Sequence, residues 1–69
     1  MNYLKLVRKL RSLDCEFDRQ AKGSHEVWIC LRTGALTTIP NWVSKDLKPE
    51  TIAGILKDLG ISKEDFDNV

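Results

Sequence analysis

His25 is the only side chain in this 69-residue chain whose ordinary pKa, about 6.5, lets it exchange protons near neutrality. It follows a Gly23-Ser24 turn and leads the strand-forming run HEVWICL. A lone imidazole can act as a general base. An acid–base pair of two histidines within one copy is excluded, so the acid must be another group, water or a histidine from a second copy. Lys22 sits in the turn beside His25. Arg19 falls on the same strand face, diagonal to it and within reach of a long side chain. Cations so placed stabilise negative charge as it develops. Ser24 offers a hydroxyl to an anion, although in a Gly-Ser turn that hydroxyl commonly serves the turn itself. Cys15 and Cys30 have neither a CxxC spacing nor a second histidine, so no metal or other cofactor is expected. They read as free thiols in a reducing cytosol.

The elements that must position these groups can be read in order. NYLKLVRKLRSL puts Tyr3, Leu6, Val7, Leu10 and Leu13 on one stripe of a helix that Asn2 can cap. CEFDRQA and HEVWICL alternate with period two about the turn KGS and predict a β-hairpin. A loop centred on Gly23 pairs Ala21 with His25, Arg19 with Val27, Phe17 with Ile29 and Cys15 with Leu31. This register gathers the apolar residues on one face and leaves Glu26, Trp28, Asp18 and Gln20 on the other. It also sends Cys15 and Cys30 to opposite faces, a poor arrangement for a disulfide. RTGA is a second turn, and LTTIP a third strand that Pro40 ends. The loop NWVSKDLK carries Trp42. Pro49 starts a second helix with the stripe Ile52, Ile55, Leu56 and Leu59, and Gly60 stops it. Gly54, in mid-helix, is expected to permit close packing. Ser62 and Asp65 frame a last short turn that holds Phe66.

The expected fold is α+β, ordered α-β-β-β-α in two layers, with both helices on one face of a three-stranded antiparallel sheet. Residues 1–69 are expected to form a single domain, too small for a deep cleft. No signal peptide or membrane span is readable. The net charge of +1 divides into +3 over residues 1–32 and −2 over residues 33–69, so the N-terminal half is the one suited to a polyanion. On spacing alone His25 ends a core-facing row and reads as a half-buried edge residue. Trp28, on the open face, reads as an anchor for a protein partner. Trp42, in its loop, reads as a platform for an unpaired base.

The Gly23-Ser24-His25 turn, a strand closing on Ile39-Pro40, and the block from Lys45 through Phe66 (KDLKPETIAGILKDLGISKEDF) together resemble the HicA family of toxins over nearly the whole chain. The resemblance implies a fold similar to double-stranded RNA-binding domains. It implies a cytoplasmic toxin of a type II toxin–antitoxin module that cleaves mRNA, with His25 as the catalytic histidine and a HicB-type antitoxin as partner. Glu26 and Trp42 stand where many members carry further histidines. Under this reading His25 takes the proton of a ribose 2′-OH without a metal. Lys22, Arg19, Ser24 and Lys45 contact phosphate, and Trp28 meets the antitoxin. The rival readings are an RNA-binding domain without catalysis and an interaction module whose only ligand is an antitoxin-like protein.

Overall fold

In the computed structural model the chain is described over residues 1–42 and 45–69; Val43 and Ser44, in the loop expected to carry Trp42, lie outside the described residues. Helix α1 spans Tyr3–Ser12. The Asn2 side chain caps it by accepting from the Lys5 N–H, as the sequence indicates. Its stripe of Leu6, Val7 and Leu10 is buried, with Leu13 buried just beyond its end. Strands β1 (Cys15–Gln20), β2 (His25–Cys30) and β3 (Leu36–Pro40) form an antiparallel sheet in the order β1-β2-β3. Helix α2 spans Pro49–Leu59. Pro49 fills its first turn and Gly60 stops it in the left-handed conformation, φ 72°. A one-turn helix α3, Lys63–Asp67, is capped by Ser62 accepting from the Asp65 N–H. The layout is the α+β order expected, and among the described residues no helix is long and apolar enough to cross a membrane.

The hairpin register differs from the expected one, and the helices cover the other face of β2. Arg19 pairs with Val27, as the loop centred on Gly23 requires. Beyond it the ladder shifts at Asp18, so that Phe17 faces Trp28, Glu16 faces Ile29 and Cys15 faces Cys30. A bulge adds one residue to one strand, and side-chain direction has period two, so every β1 residue beyond Asp18 changes face. The helix-covered face is therefore Cys15, Glu26, Trp28 and Cys30 with Thr37 and Ile39. Trp28 is 1% exposed and Ile39 fully buried, beneath Leu6, Leu10, Ile55, Leu56, Leu59 and Phe66.

Several expectations are corrected by this. His25 is exposed, and it lies on the open face with Val27, not at the end of a core row. Leu31, expected inside, is exposed. Trp28 is the largest fully buried side chain, so it does not present an open-face anchor to a partner. Cys15 and Cys30 lie directly opposite each other, not on opposite faces. Gly54 permits no close approach: a methyl group built there meets nothing within 4 Å.

Two cations complete the core from outside. The Arg11 guanidinium lies 5.2 Å from the Trp28 ring centre, and the Lys9 ammonium 4.6 Å from that of Phe66. Half the basic residues of α1 are thus held against aromatic faces. The loop before α2 is tied to the N-terminus, where Leu47 N donates to Met1 O at 2.8 Å and Asn2 bridges Asp46.

Candidate functional site

The turn between β1 and β2 places the histidine. Gly23 adopts φ 64°, the conformation that a residue without Cβ takes most readily. The turn is closed by Ala21 N donating to His25 O at 2.9 Å and by His25 N donating to Lys22 O at 3.2 Å. Gln20 Nε2 clamps it from the side, donating to His25 O at 2.9 Å and to Gly23 O at 3.1 Å. His25 Nδ1 lies 3.3 Å from Lys22 O. A carbonyl oxygen only accepts, so this contact selects the tautomer with its proton on Nδ1 and leaves the Nε2 lone pair free.

The other expected site residues are not all drawn together. Lys22 is exposed in the turn, and its carbonyl accepts from the His25 backbone. Ser24 is exposed, and its carbonyl accepts from Asn41 N at 2.8 Å. Arg19 points from the same open face of the sheet, where it pairs with Val27. Its guanidinium lies 2.6 Å from the Asp18 carboxylate in a largely exposed ion pair. Pairs of that kind contribute about 0.2–1 kcal/mol, so a phosphate can displace the Asp18 carboxylate at little cost. Lys45 is exposed beyond β3, where its N–H donates to Trp42 O, and among the described residues no hydrogen bond or ion pair joins it to the turn. Trp42 is exposed and follows Asn41, which is hydrogen-bonded to the turn. Among the described residues no three His, Cys, Asp or Glu side chains converge as a metal site.

Behind this surface lies a polar network that the sequence reading did not find. Glu26, 7% exposed, accepts on Oε1 from the Tyr3 hydroxyl at 2.6 Å and from Trp28 Nε1 at 3.0 Å. On Oε2 it accepts from Asn41 Nδ2 at 2.9 Å. Burial pushes the Glu26 carboxyl up, but the three hydrogen bonds outweigh it and hold the group below the ordinary carboxylate value. The Tyr3 hydroxyl is pushed up to about 12, first by burial and then by its bond to that carboxylate. Asn41 Oδ1 is buried with no partner among the described residues. The network ties α1, β2 and the end of β3 together one residue from His25, and Asn41 carries the tie on to Ser24. A carboxylate next to a histidine, and a tyrosine on an otherwise aliphatic stripe, were its visible signals.

The family model described as HicA toxin of bacterial toxin-antitoxin matches residues 4–61, from the first turn of α1 to the residue after Gly60. No curated protein and no solved structure matches the chain significantly.

Proposed function

The chain belongs to the HicA family, toxins of bacterial toxin–antitoxin systems, and from that premise we propose that it is an endoribonuclease that cleaves mRNA in the cytoplasm with His25 as general base. The observation that carries the proposal is the exposed imidazole. Its Nδ1 faces the Lys22 carbonyl, which leaves Nε2 to accept a proton. In the reaction Nε2 takes the proton of a ribose 2′-OH. The 2′-oxygen attacks the adjacent phosphorus to give a 2′,3′-cyclic phosphate, the bond to the 5′-oxygen breaks, and the departing 5′-oxygen takes a proton from water, another side chain or a histidine of a second copy. Lys22 and Arg19 stabilise charge on the phosphate, Ser24 hydrogen-bonds it, and Lys45 holds the strand further along. The single HicA-like domain covers residues 1–69, and a HicB-type protein is its antitoxin. Because Trp28 is internal, that partner is met by other residues.

The test is a synthetic RNA incubated with the purified protein and a metal chelator, parent against His25→Ala. General-base catalysis contributes about 10²–10⁴-fold, so the variant should lose at least about 100-fold in rate. His25 is exposed, so stability should change by no more than about 0.5 kcal/mol. Cleavage by the variant at the parental rate would remove the proposal. Cleavage by the parent that stops with chelator would remove its metal-free form.

A further inference from the structure

The bulge at Asp18 also brings the two cysteines together. Cys15 opens β1, Cys30 closes β2, and they are direct partners in the ladder. Cys30 N donates to Ala35 O on the other side, whereas Leu31 N donates to Asp14 O. Cys15 and Cys30 are therefore a non-hydrogen-bonded pair, the closer kind in an antiparallel ladder, with Cα atoms typically about 4.5 Å apart. Disulfides span about 4.4–6.8 Å between Cα atoms, so the two thiols can join without moving the backbone far. Both are free, and each is 3% exposed on the same face.

Their surroundings divide the work. Burial raises the Cys30 thiol, but the Thr33 hydroxyl, the N–H groups of Arg32 and Thr33 and the Cys15 thiol outweigh it and hold it below its ordinary value. Cys15 is pushed up to about 12, first by burial and then by Cys30 beside it. Cys30 is thus the more readily ionised of the two, with the Cys15 thiol opposite it in the ladder. A thiolate beside a resolving thiol is the arrangement of a reversible oxidation site.

We propose that Cys15 and Cys30 are such a site, closing a β1–β2 disulfide on reaction with a peroxide. The Cys30 thiolate attacks a peroxide oxygen, and the O–O bond breaks, giving a sulfenic acid and hydroxide. The Cys15 sulfur attacks the sulfenic sulfur, the S–O bond breaks, and hydroxide leaves. The two thiol protons neutralise the two hydroxides, so the thiols lose two electrons and hydrogen peroxide becomes two waters. A dithiol reverses the change. Access comes from fraying at this end of the sheet, where β1 is an edge strand and β2 runs into a turn. The proposal is independent of the toxin reading.

The experiment treats the folded protein with hydrogen peroxide, blocks free thiols and digests with trypsin without reduction. The expected result is a cross-link between peptides 12–19 and 23–32, with the intact mass lower by two hydrogens. Thiols available to titration under denaturing conditions should fall from two per chain to none, and the melting temperature should rise. Dithiothreitol should restore the starting mass, and Cys15→Ala and Cys30→Ala should each abolish the cross-link. The proposal is overturned if Cys30 advances to sulfinic or sulfonic acid while Cys15 stays reduced, or if the disulfides formed join separate chains. It is overturned equally if both thiols stay free while Met1 is oxidised.

Discussion

Glu26 concentrates more of the molecule's polar interaction than any other described side chain, and its neighbours make its role measurable. Glu26→Ala leaves the Tyr3 hydroxyl, the Trp28 indole N–H and the Asn41 amide without their acceptor. We expect a loss of about 3 kcal/mol in urea unfolding, against about 1.5 kcal/mol for Tyr3→Phe, which leaves the carboxylate two donors. The signs with pH follow from the shifts. The folded Glu26 carboxyl lies below its unfolded value of about 4.3, so its contribution is complete above that pH and is lost as pH falls through the folded value. Folded Tyr3 lies at about 12 against about 10 unfolded, so its contribution is complete below about pH 10 and is lost as pH rises to about 12. Cys15, also at about 12, loses stability over part of the same window, so Tyr3→Phe should flatten the alkaline limb only in part. An unchanged alkaline limb in Tyr3→Phe would show that the hydroxyl does not titrate with folding. Trp28→Ala would abolish partner binding for a dull reason. Emptying its core site costs about 3–5 kcal/mol, enough to unfold much of so small a domain.

At the scale of elements, what was legible in the sequence was what local chemistry decides. The caps at Asn2 and Ser62, the start at Pro49 and the stop at Gly60 each act through their own backbone, and each is where it was read. The face of β2 was not legible, because residues 27–31 are apolar in both phases and alternation cannot choose between them. The choice falls to tertiary packing, which buries Trp28 and gives Glu26 its three donors. Asp18 has no glycine or other local mark of a bulge, so the register shift could not be seen either. Removing Asp18 tests its role. With the extra residue gone, an unbroken ladder still sets Arg19 opposite Val27, Phe17 opposite Trp28 and Cys15 opposite Cys30, so we expect the deletion to keep the cooperative melt, and its loss would show that the bulge itself is required. The glycines of α2 give a paired test. Gly54→Ala is open to solvent and helical, so it should add about 1 kcal/mol. Gly60→Ala must enter the left-handed region and should cost about 1 kcal/mol.

For the molecule as a whole, the question is how a chain of net charge +1 would hold the RNA proposed as its substrate. The histidine and the cations beside it were legible because a turn keeps near neighbours together. Lys45 opens the block that carries the resemblance, and among the described residues no hydrogen bond or ion pair joins it to the turn. Of the basic residues on α1, Arg11 and Lys9 are held against Trp28 and Phe66, and Arg19 is shared with Asp18. The proposed footprint is therefore small: Lys22, Arg19 and Lys45. Each phosphate neutralised on a single strand contributes about 0.7 to the slope of log affinity against log salt, so three contacts predict a slope near −2. The measurement is RNA binding by the His25→Ala protein between about 50 and 200 mM salt, where cleavage does not intervene. Lys22→Ala should reduce the slope by about 0.7 and weaken binding to all sequences alike. Lys63→Ala is the control, because Lys63 pairs with Asp67 on α3 in the acidic half of the chain, and it should change neither slope nor affinity. A parental slope steeper than about −4 would mean that the helix cations join the contact. Equal losses from Lys22→Ala and Lys63→Ala would mean that the histidine turn is not where RNA lies.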